Sequence, residues 1–289
     1  MKYFPILVPV KQHSSRCPNK NEHLLPYLYQ CFSKIQADAT DVCEEAMTLL
    51  DQVVILCDSE SMVTAAHYAG FKNVWLEPQY RKNVKFGDEI KEVVTSVCKT
   101  EYESMWQWKL SYDKMSEEER NKIYPVEFDT SWLFSAPVTQ PIKHYKFYKS
   151  IYLISRFFKS RIKKRDTHID LIVSAQTRPI RHLFDIKIDP NDYRNEFNVW
   201  VKNMSFDIPD EKVHTRKGSD CTHTMSVDGT WYFFMANILS NMQDESSDTQ
   251  NYYFWHTRKA CIPCEEQPFI DIDETYDLKK LEFLKGMLK

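Results

Sequence analysis

Three cations fall close together near the amino terminus: Lys11, Arg16 and Lys20, interleaved with Ser14, Ser15 and Asn21. Ammonium and guanidinium groups neutralise phosphate oxygens, and hydroxyls, amides and backbone N–H groups bind them directly. These residues therefore suit a phosphate loop, and they equally suit a solvated surface loop. Their setting bears on the choice. Ile6-Leu7-Val8, an apolar and β-branched run bounded by Pro5 and Pro9, predicts a buried strand that delivers the loop. Behind the loop, Leu24, Leu25, Leu28, Cys31, Phe32 and Ile35 recur at helical spacing. A second pair of groups lies far along the chain. Asp271 and Asp273 alternate with Ile270 and Ile272, so on a strand both carboxylates share one face. Two carboxylates so placed repel unless a cation sits between them, and Mg²⁺ takes such oxygen ligands. Asp273 or Thr275 would serve just as well to cap a helix.

Other constellations carry less. Cys261 and Cys264 form one C-x-x-C, with His256, Cys221 and His223 as further donors, but the second close pair of a structural zinc site is missing, and coincidence is the preferred reading. The chain has only five glycines and neither G-x-G-x-x-G nor G-K-[ST], which weighs against P-loop kinases and dinucleotide enzymes.

A chain of 289 residues with 43% hydrophobic and 27% charged content can bury the core of one domain, or at most two. Its net charge of −3 marks it for neither nucleic acid nor membrane. No apolar run reaches the ~20 residues a bilayer requires, and the amino terminus lacks a secretory signal, so a cytoplasmic protein is expected. Eight cysteines, several in apolar segments, fit reduced and mostly buried thiols.

The elements that would position these groups follow a βαβ rhythm. A helix is predicted over 41–50, a strand over 53–56 ending at Cys57-Asp58-Ser59, a helix over 60–69 stopped by Gly70, and a strand at 74–76. This pattern implies a mainly parallel sheet, with ligand beyond the carboxyl ends of the strands, where 11–21 and Asp58 fall. The stretch 101–125, with Trp106, Trp108 and Ser116-Glu117-Glu118-Glu119, reads as a surface insertion whose second half starts a helix. Trp132-Leu133-Phe134 is a strand, and Pro137, Thr139 and Pro141 make a rigid loop at its end. An amphipathic helix is expected over 147–158, a strand over 171–174, irregular polar chain over 177–223, and a turn into a buried strand over 227–234.

Pro9, Lys11, Ser14, Ser15, Arg16, Pro18, Lys20 and Asn21 spell P-x-K-x-x-S-S-R-x-P-x-K-N. This resembles P-A-R-x-x-S-[KT]-R-[LI]-P-x-K-[NP], the signature loop of the sugar-acid cytidylyltransferases that make CMP-sialic acid and CMP-KDO. Lys11 stands where the family has arginine, and Gln12 and His13 where its sialic-type members have glycines. Further blocks follow in matching order. Cys57-Asp58 and Glu77-Pro78 resemble strand ends T-D and R-P, with glutamate replacing arginine, and Phe86-Gly87-Asp88-Glu89 loosely resembles S-G-T-E. The loop at 136–143 is similar to Q-P-T-S-P-L-R, 227–234 to E-N-G-A-I-Y-I-F, and 269–278 to S-I-D-I-D-T-E-x-D-L. The resemblance implies a three-layer α/β nucleotide-diphospho-sugar transferase fold with a mainly parallel central sheet. It implies that CTP and a sugar acid give a CMP-sugar and pyrophosphate, with Mg²⁺ on Asp271 and Asp273. Lys11, Arg16 and Lys20 would hold the triphosphate with Ser14 and Ser15, while Asn21, Asp58, Pro137 and Thr139 would complete the nucleotide site. It further implies a homodimer through the projecting region 177–223. Three other readings stay open: a nucleotidyltransferase for another nucleotide and sugar, a binding protein that keeps the fold without turnover, and a glycosyltransferase on a similar sheet.

Overall fold

A computed structural model describes residues 2–138 except 14–16, 18, 39–46 and 88, and beyond them 151, 154, 169–178, 185–187, 200–201, 224–243, 246, 250, 254, 257, 259–264, 272 and 274–280. In chain order the first half comprises β1 (Lys2–Tyr3), β2 (Ile6–Val10), α1 (Lys20–Asp38), α2 (Leu49–Gln52), β3 (Val53–Cys57), α3 (Glu60–Ala69) and β4 (Val74–Leu76). A hairpin of β5 (Gln79–Phe86) and β6 (Glu89–Ser96) follows, then α4 (Glu101–Lys114), α5 (Glu117–Ile123), β7 (Glu127–Phe128) and β8 (Trp132–Ser135). The second half adds β9 (Leu171–Arg178), β10 (Asp185–Lys187), β11 (Trp200–Val201), β12 (Thr224–Met235), α6 (Asn237–Ser240) and β13 (Lys259–Cys264).

The central sheet runs β11-β13-β9-β12-β8-β2-β3-β4. Strands β13, β9, β8, β2, β3 and β4 point one way, and β12 and β11 run against them. The sheet is therefore mixed and mostly parallel. Period-two alternation sorts its side chains to two faces. Ile6, Val8, Val10, Val53, Ile55, Phe134, Ile172 and Phe233 join Leu24, Leu25, Leu28 and Phe32 of α1 and Met62 and Ala66 of α3 in one core. Leu7, Val54, Leu56, Leu133, Val173 and Phe234 join Trp108 and Tyr112 of α4 and Leu239 of α6 in the other. Helix, sheet and helix make three layers. No helix among the described residues is long and apolar enough to cross a membrane.

Several expectations need amending. The stretch 101–125 is not superficial. Trp108 and Tyr112 are fully buried, Trp108 Nε1 donates to Tyr124 Oη at 3.0 Å and Phe128 N donates to Tyr112 Oη at 2.8 Å. Their repeat at 105, 108 and 112 is a core stripe, which flanking charges had masked. Within the 41–50 helix the described turn is α2, which runs on to Gln52, and 41–46 lie outside the described residues. The turn expected near Asp228-Gly229 lies inside a single strand, β12, which bulges between Val227 and Tyr232 with Gly229 at φ 67. The Ser174 hydroxyl fills that break, donating to Trp231 O and accepting from Trp231 N, each at 3.2 Å.

Strand β2 also runs past Pro9, which had been taken as its limit. Phe134 N donates to Pro5 O and Ala136 N to Leu7 O, so odd positions of β2 face β8. Strand β8 ends at Ser135, and the next rung on that side would need the N–H that Pro9 lacks.

Candidate functional site

The site is built where β2 and β3 end. Asp58, just past β3, accepts the backbone N–H of Gln12 on both carboxylate oxygens, at 2.9 and 3.0 Å, and so ties the cationic loop to its neighbour strand. Lys11 Nζ donates to Lys99 O at 3.0 Å. The loop closes through Asn19, at φ 56, the one non-glycine with positive φ among the described residues. Asparagine tolerates that conformation better than most residues. Lys20 N then bonds Cys17 O, and α1 begins. The turn sets Lys20 and Asn21 inward: they are 7% and 8% exposed on the first turn of a helix. Asn21 Nδ2 donates to Lys11 O at 2.7 Å, while its Oδ1 is buried without a hydrogen-bond partner. A buried acceptor left open costs stability unless a ligand satisfies it.

Two carboxylates complete the surroundings: Glu101, which sequence reasoning did not place, and Glu77, which it saw as a reversed charge at a strand end. Glu101 starts α4. Desolvation raises its pKa against the lowering pull of Lys11 and Lys20, so both lysines lie near it although the side chain keeps contact with solvent. Glu77, past the end of β4, is 3% exposed. Ser96 Oγ donates to its Oε2, and the buried Ser104 lies beside the same carboxyl. Burial raises Glu77, Ser104 and Ser96 lower it, Asp58 adds to the rise and Lys11 opposes it. Burial also raises the Cys57 thiol and pushes Cys98 up to about 12, so neither is a thiolate nucleophile near neutral pH.

The structure thus brings Lys11, Lys20, Asn21 and Asp58 together. Pro137 is half-buried one residue beyond Ala136, whose N–H bonds Leu7 O, and so lies at the same sheet end. Ser14, Ser15, Arg16 and Thr139 lie outside the described residues, as do Asp271 and Asp273. Their neighbours are described. Ile272 is fully buried in the core that holds Val10 and Leu24, and Thr275 Oγ1 lies 4.0 Å from Cys17 Sγ. Thr275 therefore lies beside the cationic loop, 258 residues from Cys17 in sequence. The stretch that loosely resembles S-G-T-E forms a hairpin tip at Phe86-Gly87, where Gly87 is exposed at φ 61. Most of 177–223 lies outside the described residues, as do Cys221, His223 and His256; Cys261 and Cys264 lie on β13.

No protein-family model matches the chain, and no curated protein matches it in sequence. Solved structures do match in shape. CMP:2-keto-3-deoxy-manno-octonic acid synthetase complexed with CTP aligns over 100% of both chains, at 10% identity and a TM-score of 0.55. HddC from Yersinia pseudotuberculosis aligns over 97% of this chain and 99% of its own, at 10% identity and a TM-score of 0.47. The inositol-1-phosphate CTP transferase from T. maritima aligns over 99% and 96%, at 9% identity and a TM-score of 0.45. The chain shares the three-layer α/β fold of the CTP-bound synthetase.

Proposed function

We propose that this protein is a nucleotidyltransferase that activates a sugar acid as its CMP-sugar, releasing pyrophosphate from CTP. The observation that carries the proposal is the convergence of Lys11, Lys20 and Asn21 at the carboxyl end of β2, tied to β3 through Asp58. A structure of the same fold holds CTP, which supports the choice of nucleotide. In this reading the sugar's anomeric hydroxyl attacks the α-phosphorus in line. A P–O bond forms, the bond to the β-phosphate oxygen breaks, and the hydroxyl proton passes to solvent. Such chemistry asks for positioning and charge neutralisation, with no covalent role for side chains. Lys11, Arg16 and Lys20 hold the triphosphate with Ser14 and Ser15, Lys11 turning from the Lys99 carbonyl to phosphate. Asn21 offers its open Oδ1 to the ligand, and Pro137 and Thr139 shape the nucleotide seat.

Asp271 and Asp273 would hold Mg²⁺. They are hard oxygen donors flanking the buried Ile272 and close in sequence to Thr275, which meets Cys17 of the loop, and the ion would supply charge neutralisation on phosphate oxygens. The region 177–223 would meet a second copy, as the resemblance implies.

Pyrophosphate release with each NTP against a panel of sugar acids tests the proposal. Turnover with CTP and at least one sugar acid is expected, and Lys20→Ala should weaken triphosphate binding by about 2–4 kcal/mol. Turnover with another base would keep the class and move the substrate. Glu77 in place of arginine favours one second reading, a binding protein without turnover. That reading predicts nucleotide binding with no pyrophosphate released under any combination.

A further inference from the structure

The segment that joins β6 to α4 gives each of its backbone N–H groups to a fixed partner. Val97 N donates to Pro78 O at 2.8 Å, Cys98 N to Ser96 Oγ at 2.9 Å and Lys99 N to Glu103 Oε2 at 2.6 Å. Thr100 then opens α4 by accepting Glu103 N at 3.2 Å. A connector held at successive donors keeps one conformation, and the Lys99 carbonyl keeps one place. That carbonyl is the one Lys11 Nζ reaches, 88 residues back in sequence.

The pinning runs back to the sheet. The Ser96 hydroxyl that accepts Cys98 N gives its own proton to Glu77 Oε2. Glu77 N in turn donates to Cys57 O at 2.9 Å, which fixes it to the end of β3. Ser104 of α4, 1% exposed, lies beside the same carboxyl. Sheet, connector and helix thus meet at one buried acid. An arginine at position 77 has no acceptor for the Ser96 proton, and a carboxyl does. Lys11 meanwhile rests at the positive end of a helix, a poor place for a cation, which Glu101 and Glu103 in the first turn make tolerable.

We propose that Glu77 is a positioning residue for Lys11: through Ser96 it fixes the carbonyl that holds the ammonium away from the triphosphate while the site is empty. The inference rests on the reading that Lys11 binds phosphate. Its sign follows from linkage. The Lys99 contact belongs to the empty state, so whatever it contributes there is subtracted from the free energy of binding. Loosening the connector weakens that contact, leaves the phosphate contacts unchanged, and tightens binding. Glu77 touches no ligand in this account.

Inorganic tripolyphosphate, titrated into the full chain by calorimetry, tests this without asking which base or sugar is used. Lys11→Met should bind at least about tenfold more weakly than the wild type. Glu77→Ala and Ser96→Ala should each bind about three- to tenfold more tightly, and the two together no more tightly than either. Ser96→Ala, the milder change, carries the test if Glu77→Ala does not fold. Glu77→Gln keeps an acceptor for Ser96 and should match the wild type within about twofold. Placed on Lys11→Met, Glu77→Ala or Ser96→Ala should change nothing further, which a general loosening of the fold would not reproduce. A wild type that does not bind, or a Lys11→Met that binds equally well, would overturn the phosphate reading of Lys11 and this inference with it. Lys11→Met weakened as expected, beside alanine variants no tighter than the wild type, would overturn this inference alone. Glu77→Gln as tight as Glu77→Ala would overturn it too, since charge at position 77 would then act on Lys11 without the relay.

Discussion

Lys11 and Lys20 enter the loop from opposite ends and both act on Glu101, so the fold sets the two cations on one carboxylate. This much was legible: a strand, a polar loop with fixed cation spacing and a helical apolar repeat gave the positions of Lys11, Lys20, Asn21 and Asp58. Glu77 was visible only as a reversed charge. Its hydroxyl partners, Ser96 and Ser104, lie 19 and 27 residues away across a hairpin whose polar strands give no period-two contrast. The consequence is measurable. The folded pKa of Glu77 is raised above 4.5, so the folded protein retains a proton that the unfolded chain releases. Stability conferred at low pH is then lost as pH rises from about 4.5 through the folded value. Glu77→Gln keeps an acceptor for Ser96 and removes the titration. Its thermal midpoint should fall less than that of the wild type between pH 4.5 and 7, and identical pH profiles would show that Glu77 does not titrate in this window.

At the level of elements, caps and stripes were readable and burial was not. Ser59 accepts Met62 N to open α3, and Gly70 closes it at φ 109, the stop that the sequence indicated. Gly70 has a second duty, since a Cβ there would lie 2.9 Å from the Tyr29 ring of α1. Gly70→Ala should therefore cost more than the ~1–2 kcal/mol of left-handed strain alone, measured by urea unfolding. Helix α4 teaches the opposite lesson. Its aromatic stripe lay in view among charged residues, and only the second core, beneath Leu7, Val54 and Leu56, shows why it is there. Trp108→Ala removes the largest of these rings and orphans the Tyr124 hydroxyl. A loss of about 3–5 kcal/mol is expected by denaturant titration, whereas a loss below ~1 kcal/mol would return 101–125 to the surface.

Across the whole molecule, sequence order says little about how the carboxyl-terminal third reaches the site. The Thr275–Cys17 contact brings it there, and the metal prediction belongs at this scale. Activity should vanish with a chelator and return with Mg²⁺ or Mn²⁺, the ions that carboxylate and phosphate oxygens favour. Asp271→Asn and Asp273→Asn should fold normally and slow turnover by about 100-fold or more. Asp277 supplies the contrast. It accepts Glu274 N at 3.0 Å and pairs with Lys280, which is the work of a helix cap. Asp277→Asn should cost about 1 kcal/mol or less and leave the rate unchanged. Early melting with normal rates in the Asp271 and Asp273 variants would instead make those carboxylates part of the scaffold.

Pro9 bears on where the sheet stops being a wall. Beyond the rung from Ala136 N to Leu7 O, the next would need an N–H at position 9, which proline lacks. Strands β2 and β8 meet where the chain, having stepped outward through β3 and β4, returns to the opposite side of β2. At that reversal a zipper free to close would draw the two strand ends, and with them the cationic loop and Pro137, closer together. An imino acid at the last tooth stops the pairing there, at the sheet end that carries both the cationic loop and Pro137.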